Sequence, residues 1–282
     1  MSNRKPPRRS QLVLVAAVAT AITLTAIGTA NAGKAEPAAD SGPKPTVVLV
    51  HGAFADGSSW NGVVERLKRQ GYPVIAPANP LRGLSSDAAY LRGVLESVEG
   101  PVVLAGHSYG GSVISEAAAG DEDVKALVYI AAFLPDKGES ASELSGKFPG
   151  STLGPTLTEV NTTLPDGSEV TDLYVEQAKF RRQFAADVPR STAQQMAVTQ
   201  RPVTTAALEE GADAAAWKSI PSWSMITTQD LNIPAEAQRF MAARAHAHAV
   251  EVRASHAVTV SRPESVSRLI DRAARTTVPP AV

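Results

Sequence analysis

Val102-Val103-Leu104-Ala105-Gly106-His107-Ser108-Tyr109-Gly110-Gly111 is the stretch that decides the fold. Its first four residues are a short apolar run that reads as a buried strand. Gly111 to Ala119, rich in small residues, reads as a helix. Between them lies G-x-S-x-G, and strand, G-x-S-x-G, helix is the context of a nucleophile elbow. The turn is so sharp that side chains two positions either side of the serine would collide with it. Gly106 and Gly110 remove those collisions. Ser108 is then held above the sheet with its hydroxyl exposed to whatever enters.

Outward from the elbow, strands and helices alternate. Thr46 to Val50 is a β-branched run ending in His51-Gly52, and a helix follows Asp56 up to Gln70, stopped by Gly71. Val74 to Ala76 reads as a strand, Ser86 to Glu99 as a helix, and Val124 to Ala132 as a near-continuous apolar strand. Trp223 to Thr227 and Ala247 to Val252 read as the last two strands, and Glu264 to Ala274 as a closing helix with Val266, Leu269 and Ile270 inward. Continuous rather than alternating apolar strands indicate a parallel sheet covered on both faces, and so does the strand–helix alternation. The expectation is an α/β domain over residues 45–282 with about six mostly parallel strands. Leu134 to Ser222 is 89 residues without a convincing strand, too long for a simple crossover. It reads as a cap over the strand ends, loop-like in its first half, with helices over Asp172–Ala186 and Ser191–Thr199. Phe180, Phe184, Met196 and Trp217 are its candidate pocket residues, though apolar side chains at such spacing more often serve the core.

The first 32 residues read as a secretory signal peptide. Arg4, Lys5, Arg8 and Arg9 precede an apolar stretch from Leu12 to Gly28, and Ala30-Asn31-Ala32 offers a small-x-small cleavage site. An uncleaved membrane anchor is the alternative. Residues 33–44, rich in Gly, Ala, Pro and Ser, read as a linker. The expected location is outside the cytoplasm, with no stable membrane association after cleavage. Without residues 1–32 the formal charge moves from −1 to −5. Such a balance argues against binding nucleic acid or anionic lipid. There is no cysteine, which excludes disulfides, a thiol nucleophile and thiolate metal sites. His246 and His248 lack a carboxylate at metal-ligand spacing and read as surface residues.

A serine hydroxyl is a poor nucleophile unless a base takes its proton, and the base needs an orienting acid. In an open parallel sheet these groups come from loops at the strands' carboxyl ends. Ser108 follows the elbow strand, Asp230 the strand ending at Thr227, and His256 the last strand. Asp136 follows the strand after the elbow helix and is the second candidate acid. His51 and His107 read as structural, fixing loops by hydrogen bonds.

On His51-Gly52-Ala53-Phe54, Gly106 to Gly110, Thr228-Gln229-Asp230 and Ser255-His256-Ala257, the chain resembles the α/β-hydrolase superfamily. Within it the chain is similar to compact bacterial esterases and to the plant methylesterase and hydroxynitrile lyase branch. The resemblance covers about Pro45 to Ala274 and is weakest between Gly138 and Tyr174. It implies a Ser108–His256–Asp230 triad cleaving small-molecule carboxylic esters through an acyl-enzyme, with no cofactor. It also implies an oxyanion hole made by the backbone N–H groups of Ala53 and Tyr109, and a pocket lined by Phe54, whose alternative role is core packing. Haloalkane dehalogenases and epoxide hydrolases carry aspartate where this chain has Ser108. Hydroxynitrile lyases carry lysine where it has Ala257, so cyanohydrin cleavage is not implied. Amidase, thioesterase or cofactor-free haloperoxidase chemistry on the same groups, or a binding protein without catalysis, are the alternatives.

Overall fold

In the computed structural model, which describes residues 44–278, nine strands occur among the described residues. They are β1 (Thr46–Val50), β2 (Val74–Ile75), β3 (Val102–His107), β4 (Val124–Ile130), β5 (Leu157–Thr163), β6 (Glu169–Val175), β7 (Val203–Thr204), β8 (Ser222–Thr227) and β9 (His248–Val252). Six of them form one sheet in the order β2-β1-β3-β4-β8-β9, and every pairing in it is parallel. The signal peptide expected over residues 1–32, and all of the linker but Lys44, lie outside the described residues.

Alternate residues of the central strands feed two separate cores. Val47 and Leu49 of β1 and Val103 and Ala105 of β3 point to one face. There they meet Val63 and Leu67 of α1 (Asn61–Arg69) and, from the carboxyl-terminal helix Pro263–Thr277, Val266, Leu269 and Ile270. Val48, Val50 and Leu104 point to the other face, with Leu91 of α2 (Leu84–Leu95) and Val113 and Ile114 of α3 (Gly110–Ala117). Each such valine, leucine or isoleucine side chain, fully buried, contributes roughly 1.5–3 kcal/mol. A sheet buried on both faces explains why its strands read as continuous apolar runs.

The insertion before β8 contains helices and, beyond the expectation, a small antiparallel sheet, β5-β6-β7. Its helices are α4 (Ala141–Gly146), α5 (Gln177–Phe184), α6 (Arg190–Thr199) and α7 (Thr205–Glu209). The helix expected from Asp172 begins only at Gln177; Asp172 to Val175 belong to β6. Leu173 and Val175 are buried there while their neighbours are partly exposed, the period of a strand. Strand β5 is exposed along nearly its whole length, which explains its Thr, Glu and Asn content and its loop-like appearance in sequence. After β8 the chain forms α8 (Ala235–Arg244), β9, α9 (Val258–Ser261) and α10 (Pro263–Thr277).

The insertion is bonded to the loops at the sheet's carboxyl edge. The Phe54 amide donates to Arg201 O at 3.0 Å, Thr204 N to Leu81 O at 3.1 Å and Ala257 N to Phe184 O at 2.9 Å. The Arg82 guanidinium pairs with Asp172 of β6 at 2.7 Å.

Candidate active site

Ser108 sits one residue past β3 with φ +55°, a left-handed conformation that non-glycine residues rarely adopt. Such a backbone costs of order 1–3 kcal/mol and persists only where its surroundings enforce it. A Cβ on Gly106 would lie 2.5 Å from the carbonyl oxygen of Gly110, so the elbow closes only around glycine. A Cβ on Gly52 would lie 2.6 Å from the Cβ of Ser108. That glycine lets the loop after β1 lie directly against the serine. Ser108 opens into a cavity of about 350 Å³.

Three side chains from three loops form a line. His256 Nε2 is 2.8 Å from Ser108 Oγ, and His256 Nδ1 is 2.7 Å from Asp230 Oδ2. All three residues are buried. A carboxylate only accepts, so Nδ1 carries a proton and Nε2 is the nitrogen that faces the serine hydroxyl, with its lone pair when the ring holds one proton. This is the tautomer able to take the hydroxyl proton.

Asp230 is held ionised by its surroundings. Burial raises its pKa, but the opposing effects of His256 and of the backbone N–H groups of Asn232 and Ile233 are larger in sum and leave it below the usual carboxylate range. Oδ1 accepts from Asn232 N at 2.8 Å and Ile233 N at 3.1 Å. Oδ2 also accepts from Thr227 Oγ1 at 2.8 Å and Gln238 Nε2 at 3.1 Å. Asp136, the second candidate acid, is on the surface and pairs with Lys218.

Ala53 and Tyr109 both line the cavity beside Ser108. Among the described residues neither backbone N–H has a protein acceptor, whereas that of Phe54 is committed to Arg201 O. Two free amides beside a serine hydroxyl can receive a developing oxyanion. The Phe54 ring lines the cavity and packs edge-on to Phe184, with centroids 6.4 Å apart, so both expected roles meet in it.

The loops bearing these amides are fixed from behind. His51 Nδ1 donates to Gly52 O at 2.9 Å and its Nε2 accepts from Asn79 N at 2.9 Å, while Asn79 Nδ2 donates to His51 O. Burial lowers the His51 pKa and keeps the ring neutral for this role. His107 Nε2 donates to the His256 carbonyl at 2.9 Å; burial first, and then the neighbouring His256, push its pKa down to about 3. The Tyr109 hydroxyl donates to Asp87 Oδ2 at 2.9 Å, and both residues are buried. Burial raises the Asp87 pKa.

Of the candidate cap residues, none lines the serine cavity. Phe180 and Phe184 are core, Trp217 is buried with its indole N–H on Pro135 O, and Met196 lines a separate outer cleft. The wall is instead Leu153, Leu157, Leu173 and Leu208 with Phe133 and Ile233. Thr227, Gln238, Asn79 and Asp87 support the site without a sequence motif. They act as buried hydrogen-bond partners; the fold brings Asn79 and Asp87 to theirs, while Thr227 and Gln238 lie close to Asp230 along the chain.

A parallel sheet carrying serine, aspartate and histidine in that chain order on loops at its carboxyl edge defines a hydrolase class of fold. The sequence model of the alpha/beta hydrolase family matches residues 47–269. The chain belongs to the alpha/beta hydrolase family. It is 30% identical over 254 residues to the alpha/beta hydrolase nvfD of Aspergillus novofumigatus, covering 82% of this chain and 97% of that one. A carbendazim hydrolyzing esterase of Nocardioides is 35% identical over 115 residues, 36% of this chain and 47% of its own length. Polyneuridine aldehyde esterase superposes with a TM-score of 0.71 at 19% identity, covering 81% of this chain and 98% of that one. A pyrethroid hydrolase from Sphingobium faniae JZ-2 does so with 0.67 at 23%, covering 83% and 98%. At these last identities the likeness is one of fold.

Proposed function

We propose that the protein is a serine esterase that cleaves carboxylic esters of small molecules. The observation that carries the reading is the continuous line Ser108 Oγ, His256 Nε2, His256 Nδ1, Asp230 Oδ2, with contacts of 2.8 and 2.7 Å, opening into a cavity. Ser108 Oγ attacks the acyl carbon while His256 Nε2 takes its proton. The carbonyl oxygen gains a negative charge and is met by the amides of Ala53 and Tyr109. One such donor is worth about 3–4 kcal/mol in the transition state. His256 returns the proton to the departing alkoxide, leaving an acyl group on Ser108. A water then attacks the acyl carbon, His256 takes its proton, and the acid departs as Ser108 regains a hydrogen. Asp230 keeps the imidazole proton on Nδ1 and stabilises the imidazolium. Relatives named as an esterase and as a hydrolase support the same chemistry. The sequence of residues 1–32 supports export with cleavage after Ala32. Amino-terminal sequencing of protein recovered outside the cytoplasm is expected to begin at Gly33.

The test of the chemistry is hydrolysis of p-nitrophenyl esters from acetate to palmitate by the protein and by Ser108→Ala. Turnover with an optimum chain length, abolished by the substitution, is the expected result. No turnover of any ester, with Ser108 unreactive to a fluorophosphonate, would overturn the reading.

A further inference from the structure

We propose that the serine cavity selects an uncharged, largely apolar substrate bearing a second oxygen acceptor, which the side-chain N–H of Asn232 receives. This deepens the esterase reading and rests on it for the identity of the reacting bond.

None of the residues lining the cavity is charged. Leu153, Leu157, Leu173 and Leu208, with Phe133 and Ile233, form its apolar wall. A carboxylate or ammonium on the substrate would lose hydration there without meeting a charged partner. Two buried polar side chains of the lining are already engaged: the Ser108 hydroxyl with His256, and the Tyr109 hydroxyl with Asp87. Ser142, Ser145 and Ser151 are not buried and reach solvent. Asn232 differs, because it lines the cavity while only 3% exposed.

The orientation of the Asn232 carboxamide follows from its neighbours. The Leu231 carbonyl can only accept, and Gln183 Nε2 donates to it at 2.8 Å. Gln183 Oε1 at the other end accepts from Thr152 Oγ1 at 2.9 Å. With the Gln183 amide so fixed, its Nε2 faces Asn232 at 2.9 Å and requires an oxygen there. Asn232 Oδ1 is therefore spent on Gln183, and the NH2 group is what remains. Among the described residues its two protons have no acceptor, and Nδ2 is not fully enclosed, so solvent or a ligand can reach it. A held donor in a largely apolar cavity favours a ligand that brings an acceptor, since an analogue lacking one leaves the donor dry and unpaired. The backbone N–H of the same residue holds Asp230. Acid and selector are thereby fixed in one turn.

The test is a set of p-nitrophenyl alkanoates and their 4-oxo, 5-oxo and 6-oxo counterparts, assayed for kcat/KM. For at least one ketone position the full-length protein is expected to prefer the oxo ester by about tenfold, the worth of one good neutral hydrogen bond. Asn232→Leu, which removes the donor, and Asn232→Asp, which keeps the acceptor for Gln183, are each expected to bring that ratio to about one. A wild-type ratio near one at every position, or a ratio unchanged by both substitutions, would overturn the inference. A second readout is independent of turnover. Methyl alkanoates and their oxo counterparts are titrated calorimetrically into Ser108→Ala, with and without Asn232→Leu. Oxo-selective binding lost with Asn232, alongside no hydrolysis by the wild type, would keep the selector and remove the esterase. Hydrolysis with no oxo preference in rate or binding would do the reverse.

Discussion

Replacing Asp230 by asparagine is expected to abolish nearly all catalysis while leaving the fold in place, and the hydrogen bonds around it say why. Five donors converge on the two carboxylate oxygens: Asn232 N and Ile233 N on Oδ1, and Thr227 Oγ1, Gln238 Nε2 and His256 Nδ1 on Oδ2. Asparagine supplies one oxygen. The two backbone N–H groups cannot turn away, so that oxygen takes the Oδ1 position and the NH2 takes the Oδ2 position. There it faces the imidazole, which can accept from it only by moving its own proton from Nδ1 to Nε2. The Nε2–H then points at Ser108 Oγ, and the serine has no base. A wrong tautomer in a triad of this kind lowers kcat by roughly 10⁴, equivalent to about 5 kcal/mol. The assay is kcat on a short p-nitrophenyl ester, with near-ultraviolet circular dichroism to verify folding and ¹⁵N histidine shifts to read the tautomer. Activity within tenfold of wild type in a folded Asp230→Asn protein would refute the reasoning.

Gly106→Ala places a methyl 2.5 Å from the Gly110 carbonyl oxygen, a backbone atom with nowhere to go, so a loss of about 1–3 kcal/mol or more in unfolding free energy, read as a lower denaturant midpoint, is expected together with lost activity. A wild-type midpoint would contradict the elbow geometry. Tyr109→Phe leaves the buried Asp87 carboxylate without its hydroxyl donor and is expected to cost about 1–3 kcal/mol and to lower kcat more than it raises KM. In a double-mutant cycle with Asp87→Asn the two losses should fall short of additivity, and strict additivity would separate the residues. Asp136→Asn breaks only an exposed pair with Lys218, so stability should stay within about 1 kcal/mol and kcat unchanged; a tenfold fall in kcat would return Asp136 to the site. The folded-state pKa of His107, about 3, lies below its unfolded value of about 6.5. Between those limits the unfolded chain binds a proton that the native state refuses, so stability falls as pH drops from about 6.5 towards 3. His107→Gln, which keeps a donor for the His256 carbonyl, should lessen the slope of thermal stability against pH across that window, to which His51 and Asp230 also contribute; an unchanged slope would deny His107 the role.

The legible parts of the sequence were those where one local rule dominates. Val102–Ala105, buried on both faces, is apolar throughout, and the sharp turn at Ser108 demands glycine at Gly106. Asp230 and His256 were readable because both follow strands of the same parallel sheet, and the distances bring these two, not Asp136, together. The insertion was harder. Leu173, Phe180 and Phe184 share a helical spacing by coincidence, since Leu173 belongs to a strand and the phenylalanines to a helix. A hairpin signal was present at Asp166-Gly167, where Gly167 takes φ +85° in the turn joining β5 to β6. The polar partners Asn79, Asp87, Gln183 and Gln238 carry no local signature. Asn79, Asp87 and Gln183 take their meaning from a buried partner 22 or more residues away, and Gln238 from the loop that follows β8.

Helix α5 of the insertion touches the surroundings of all three reactive loops. Phe184 packs on Phe54, edge-on to His107 beside Ser108 at 6.2 Å between centroids and, at 4.9 Å, on the His256 ring; its carbonyl takes the Ala257 amide, and Gln183 bonds Leu231 and Asn232. The insertion is therefore not an interchangeable module. A graft that swaps residues 134–221 for those of another family member also replaces the scaffold of the base and the acid. Chimeras that retain Gln177–Phe184 and exchange only the segment carrying α4 and β5 are the ones expected to acquire a new preference without losing turnover. Selectivity and turnover would then be carried by different stretches of the one insertion.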